Sequence, residues 1–208
     1  MTPRLASLRR GVMRPRDAAG VYTQPALQFR RLEKEGVLLK VAHGYYALIP
    51  EASRGGHWRP EIEALALGVG QADYGINGAV LMHLSAARVQ GAIPRAIAVA
   101  VLAVPKQRPT LETKCGRIVF VKRDVARLKR IKITTELATG WSTSNEQTAV
   151  DLARRPDLVK GMSHVAREAA CALFVLSNND ILDSLAEDQR MGPALHRLVT
   201  WMKDASLH

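Results

Sequence analysis

The sequence predicts an α+β protein, with a small N-terminal winged helix-turn-helix followed by a larger α+β domain holding a small sheet and several helices. Three observations carry this prediction. Residues 14–49, RPRDAAGVYTQPALQFRRLEKEGVLLKVAHGYYALI, read without a break as helix, tight turn, helix and two-stranded wing. Residues 50–60, with Ser53, Gly55, Gly56 and His57 between two prolines, have the composition of a linker. Beyond them, apolar residues at helical spacing alternate with β-branched runs of strand length. The division that follows is residues 1–50 for the winged unit, 51–60 for the linker and 61–208 for the α+β domain.

Within the winged unit, a short helix over 14–19 ends at Gly20, and Gly20, Val21 and Tyr22 form the turn. Thr23 offers a side-chain oxygen as N-cap of a second helix, and Pro25 suits its first turn, where a missing N–H costs little. Pro25, Phe29 and Leu32 recur at i, i+4 and i+7, so they share a stripe that should face the core, and Gly36 stops the helix. Residues 37–41 and 45–49 are strand-like runs joined by Ala42, His43 and Gly44.

The larger domain opens with two expected helices, one carrying Ile62, Leu65, Ala66 and Val69 and the other Val80, Leu81, Leu84 and Ala87. Strands are expected at 97–104, 116–122 and 131–135. Ser144 and Gln147 have the spacing of a capping box, with Ala149, Val150, Leu152 and Ala153 on the buried side of the helix that follows. Further helices are expected over 158–176, 181–185 and 195–202.

The net charge of +11 is unevenly spread. Lys and Arg outnumber Asp and Glu nine to three in residues 1–50 and ten to two in 104–132; they balance at four each over 51–103, and acids lead ten to seven thereafter. Two basic blocks of this kind point to a polyanion, because each phosphate neutralised releases condensed counterions. Two cysteines, Cys115 and Cys171, are too few for a disulfide framework or a zinc site. With no apolar run of membrane-spanning length and no signal-peptide core, the sequence points to a reduced, soluble, cytoplasmic protein.

The side of the second helix opposite its apolar stripe has the chemistry of a major-groove reader. Gln24, Gln28 and Arg31 are the base-reading candidates, since Gln pairs with adenine and Arg with guanine, each worth ~1 to 3 kcal/mol of discrimination. Arg16, Thr23, Arg30, Lys40 and the wing-tip His43 are placed for phosphates. Lys122, Arg123, Arg127, Lys129, Arg130 and Lys132 form a second basic surface, open to DNA, RNA, the substrate of a nucleotide-handling toxin or plain solvent.

Catalytic chemistry is weakly represented, and no catalytic residue, cofactor or metal is expected. Glu146 and Asp151 lie about 140° apart on a helix and do not converge, which favours structural roles for them and for Thr148. Glu112-Thr113-Lys114 has the acidic-x-Lys spacing of metal-dependent nucleases but falls in an expected loop between Pro109 and Gly116. No i, i+4 histidine pair, phosphate loop or nucleophile elbow occurs.

Three segments carry a family resemblance: Gly44-Tyr45-Tyr46-Ala47-Leu48 ending the wing, Tyr74-Gly75-Ile76-Asn77-Gly78-Ala79 opening an expected helix, and Ser144-x-Glu146-x-Thr148-x-x-Asp151-Leu152-Ala153. Together with the order of parts, they resemble the AbiEi-type antitoxins of type IV toxin-antitoxin systems over nearly the whole chain. The resemblance implies a repressor of its own operon that binds operator repeats on duplex DNA through its winged domain; winged domains often bind repeated half-sites as pairs, which leaves a homo-oligomer on DNA open. It also implies a larger domain that counteracts a nucleotidyltransferase toxin without a stable complex. This chain departs from the pattern in its short N-terminus, where only residues 3–10 are available for a first helix. The alternatives left by the residues themselves are a DNA-binding regulator with no toxin partner and a nuclease built on Glu112 and Lys114.

Overall fold

The computed structural model describes residues 11–205, and the first helix expected in 3–10 lies outside them. The winged unit runs β1 (Val12–Met13), a 3₁₀ turn (Pro15–Ala18), α1 (Pro25–Lys34), β2 (Leu38–Ala42) and β3 (Tyr45–Leu48). β3 lies between β1 and β2 and is antiparallel to both, which is the strand order of a winged helix. The helix expected over 14–19 is only this 3₁₀ turn. Its start is closed by Asp17, whose carboxylate accepts from the Arg14 backbone N–H at 2.9 Å.

Pro25 opens α1 as expected, but Gln24 holds the cap position and no side chain caps the helix, so Thr23 does not perform the capping role. The wing loop is tighter than expected. Ala42 belongs to β2, leaving His43 and Gly44 to turn the chain, and Gly44 takes a φ of 78° that a side chain would resist. Val41 bulges between the Lys40–Tyr46 and Ala42–Tyr45 pairs. Phe29 and Leu32 are buried with Met13, Ala18, Leu38 and Tyr46. Phe29 meets Tyr46 edge to face, with centroids 5.2 Å apart and planes at 87°.

The body is built on a six-stranded sheet in the order β6 (Leu111–Thr113), β7 (Gly116–Lys122), β5 (Val99–Val104), β4 (Val80–Leu81), β9 (Thr139–Thr143), β8 (Arg130–Thr134). Period-two alternation sorts its residues between two layers. Ala100, Leu102 and Val104 of β5, with Ile118 and Phe120 of β7, face α2 (Ile62–Tyr74). Val99, Val101 and Ala103 face the opposite layer, formed by α3 (His83–Val89), α4 (Asn145–Arg154), α5 (Ser163–Val175), α6 (Asn179–Asp188) and α7 (Gly192–Ala205). The mixed α+β class is as the sequence predicts.

Two expectations fail in the body. The helix expected from Val80, Leu81, Leu84 and Ala87 is split, because Val80 and Leu81 pair with Ala103 and Leu102 on one side and with Trp141 and Ser142 on the other. Sheet pairing outweighs helical spacing there, and only His83–Val89 is helical. Glu112 and Thr113, expected in a loop, lie on the edge strand β6, with Glu112 opposite Arg117. In addition, α5 begins at Ser163 rather than at 158, after a turn that contains Gly161.

The capping box at Ser144 is half made. The Ser144 hydroxyl accepts from the Gln147 backbone at 3.3 Å, but the Gln147 side chain turns away to the backbone N–H of Lys129 at 3.2 Å and to Gln189. Glu146 accepts from the Ser144 hydroxyl at 2.8 Å and from Asn178 at the start of α6, Thr148 Oγ1 bonds Thr143 Oγ1 at 2.7 Å, and Asp151 pairs with Arg123. Each therefore serves a separate joint in the packing.

The winged unit and the body share one core. Val12, Val41, Tyr45 and Ala47 pack in a single cluster with Leu65, Val69 and the α2 face of the sheet. Gly68 makes this approach possible, since a Cβ there would meet Val12 Cγ2 at 2.4 Å. Among the described residues, no helix is long and apolar enough to cross a membrane.

Candidate nucleic-acid interface

By burying Phe29 and Leu32, α1 turns Gln24, Leu27, Arg30, Arg31 and Lys34 to solvent. Gln24 and Arg31 are exposed as the base-reading role requires, and Gln28 is half-buried at the edge of the same face. Arg31 Nε donates to Glu35 Oε1 at 2.8 Å with 72% of its side chain exposed, an ion pair that costs little to break on meeting a ligand. Sequence reasoning missed Leu27, which lies three residues after Gln24 and four before Arg31 and is 62% exposed. An apolar residue left bare between an amide and a guanidinium suits the methyl group of thymine. Its break from the polar pattern of that face was the available signal.

The wing and the 3₁₀ turn bring three of the phosphate candidates, Arg16, Lys40 and His43, into two clefts on either side of His43. The larger, about 560 Å³, is lined by Arg14, Arg16, His43, Tyr45, Asp73 and Arg108. At its floor Asp73, only 8% exposed, is held by Arg14 and Arg108 and accepts from Tyr45 Oη at 2.7 Å. Arg16 stands at the rim, 3.9 Å from Asp73 and largely exposed. Arg108 lies over the Phe120 ring at 4.3 Å. Burial raises the Tyr45 phenol above its ordinary value, the Asp73 hydrogen bond adds to this, and the guanidinium of Arg108 opposes it. Three arginines set against Asp73 and against Asp17, which pairs with Arg14 at 3.3 Å, leave this cleft with an excess of one positive charge.

The second cleft, about 460 Å³, has Lys40, Ala42 and His43 on the wing side and Glu112, Thr113 and Lys114 opposite. The Lys114 backbone donates to Val41 O at 2.9 Å, fastening the wing to the edge of the large sheet. Thr23 and Arg30 line neither cleft, though both are exposed. Lys114 therefore joins the wing surface, a placement that its acidic-x-Lys motif did not suggest. Among the described residues, no group of three or more His, Cys, Asp or Glu side chains could hold a metal ion.

The second basic block does not form one surface. Arg130 is stacked 4.5 Å over Trp141, and Lys132 lies on the same strand β8. Arg123 is drawn inward to Asp151 at 2.7 Å, and Arg127 Nη2 donates to Asp188 O at 2.9 Å. Lys122 and Lys129 remain exposed.

No known family model and no curated protein matches the chain. Its structure is similar to the crystal structure of the RV2827C protein from Mycobacterium tuberculosis, with a TM-score of 0.62 at 19% identity, covering 96% of this chain and 73% of that one. A likeness at this identity speaks to the fold alone.

Proposed function

We propose that this protein is a duplex-DNA-binding autorepressor that doubles as the antitoxin of a type IV toxin-antitoxin system. The observation that carries the DNA-binding part is the face of α1, where Gln24, Leu27, Arg30 and Arg31 are bare while Phe29 and Leu32 anchor the helix from behind. Gln24, Gln28 and Arg31 read base edges in the major groove, and Arg16, Arg30, Lys40 and His43 fix the register on phosphates. The antitoxin part rests on the sequence resemblance over the wing, the 74–79 segment and the Ser144–Ala153 segment.

The test of the first part is a mobility-shift assay on the DNA upstream of the protein's own gene. Arg31→Ala with Gln28→Ala should abolish preference for that DNA while leaving weak, salt-sensitive binding, and unchanged selectivity would overturn the assignment. For the second part, the full chain is co-expressed with a candidate nucleotidyltransferase toxin, sought in the reading frame next to its gene. Restored growth, retained when Arg30 and Arg31 are both replaced by Ala, supports an antitoxin activity separate from repression. Failure of the wild-type chain to restore growth leaves a repressor with no toxin partner.

A further inference from the structure

A second positive cleft lies on the far side of the sheet from the winged unit, where the end of β7, the end of α4 and the start of α3 meet. Its volume is about 150 Å³, and its polar lining is His83, Lys122, Arg123, Asp151, Arg154 and Arg155. Four cations thus surround one carboxylate. Asp151 pairs with Arg123 through Oδ1 at 2.7 Å. The side chains of Lys122, Arg154 and Arg155 are exposed and form no ion pair among the described residues. The C-terminus of α4 explains a cation or two near its end. It does not explain four around one opening.

Two acceptors without hydrogen-bond partners among the described residues, both shielded from solvent, belong to side chains that line this cleft. His83 is fully buried and has a φ of 56°, a backbone conformation that costs a non-glycine residue energy and is retained where the surroundings impose it. Its Nε2 lies 3.0 Å from the Arg155 carbonyl, which can only accept, so Nε2 carries the hydrogen and Nδ1 presents a lone pair. Burial is the main reason that its pKa is pushed down to about 4, which keeps the ring neutral near pH 7. Neither Nδ1 of His83 nor Oδ2 of Asp151 has a hydrogen-bond partner. Buried acceptors left unmade are costly, and their natural complement is a ligand with O–H or N–H donors. A neighbouring cleft of about 150 Å³ shares Arg123 and Arg154 and adds Arg127 together with Asp124.

From this pairing of an outer ring of cations with an inner pair of acceptors, we propose that the cleft binds a small phosphate monoester. Lys122, Arg154 and Arg155 hold the phosphate, and a hydroxyl of the attached polyol donates to His83 Nδ1. The site is independent of the DNA-reading face and stands or falls separately from it.

The experiment titrates the full chain with inorganic phosphate and with ribose 5-phosphate, by calorimetry and thermal shift, at ionic strength matched with chloride. Both should bind saturably, the ester about ten-fold more tightly, the gain expected of one further hydrogen bond to a charged or buried acceptor. Lys122→Ala, Arg154→Ala and Arg155→Ala combined should abolish both, and they leave the backbone carbonyl that holds His83 in place. His83→Asn, chosen because Asn tolerates the left-handed backbone, should remove only the preference for the ester. In the wild-type chain, the His83 Nδ1 nitrogen resonance should move on adding ribose 5-phosphate and stay still with chloride. A response no larger than chloride's, binding that survives the triple substitution, or an unmoved His83 resonance overturns the proposal. So does binding of duplex DNA through these residues with neither small probe bound, since the cations would then belong to a nucleic-acid footprint.

Discussion

The Tyr45 hydroxyl donates to Asp73 at 2.7 Å, so that a wing strand is tied to the last turn of a body helix by a carboxylate that also holds Arg14 and Arg108. The four residues come from four separate stretches of chain and meet at the floor of the positive cleft. Asp73→Ala leaves Arg108 without its counter-charge and Arg14 with Asp17 alone, and should cost about 2 to 4 kcal/mol, whereas Tyr45→Phe removes the hydrogen bond to Asp73 and the long ones accepted from Arg108 at 3.3 Å and should cost about 1 kcal/mol. Denaturant unfolding measures both, and equal losses would contradict the central place given to Asp73.

Arg123 and Asp151 form another buried ion pair, and removing either member strands the other. Arg123→Met should lower stability by about 3 kcal/mol or more, while Arg123→Met with Asp151→Leu should recover much of that loss. Burial already raises the Asp151 carboxyl above its ordinary range, with Arg123 opposing the rise. A carboxyl that holds its proton more tightly folded than unfolded adds stability in acid and loses it as the pH climbs through the folded value. Without Arg123 that loss should extend to higher pH, read as a falling melting temperature across the neutral range in Arg123→Met and not in the wild type.

His83 acts in the opposite direction. With its folded pKa at about 4 against an ordinary 6.5, the unfolded chain takes up a proton that the folded chain refuses between those values. The resulting stability is complete above pH 6.5 and drains away as the pH falls towards 4, by about 3 kcal/mol at the limit. His83→Asn should flatten this acid limb of the melting-temperature profile. A limb of unchanged slope would place its origin elsewhere.

Leu27 is 62% exposed and belongs to no core cluster among the described residues, so Leu27→Ala should leave the melting temperature within about a degree of the wild type. On operator DNA it should weaken binding where a thymine methyl lies beneath it, and replacing that thymine by uracil should produce the same loss in the wild type and none in the variant.

What could be read in advance divides along the range of the interactions. Pro25, Phe29, Leu32 and Gly44 act within one or two turns of chain, and the winged unit follows from them directly. Val80 and Leu81 sit at helical spacing with Leu84 and Ala87, and only partners twenty and sixty residues away make them a strand. The small and polar run Thr139-Gly140-Trp141-Ser142-Thr143 has no apolar alternation to mark it as β9. The exposed face of α1 was legible because a helix exposes whatever its apolar stripe leaves free. The Asp73 cluster and the cleft around His83 were not, since neither has a sequence spacing, and the charge count of the second basic block concealed that Arg123 turns inward.

The double use of α2 determines how the molecule can be dissected. Its residues pack against the winged strands on one side and the large sheet on the other, so a cut near residue 51 would strip Leu65 and Val69 of part of their cover and leave an oily seam on either fragment. Neither fragment is then a fair proxy for its role in the intact chain. Separation of DNA reading from any second activity is better achieved by substituting exposed side chains. The same seam constrains evolution: a new reading head can be grafted onto this body only if its inner strands bring a side chain that fits the groove at Gly68.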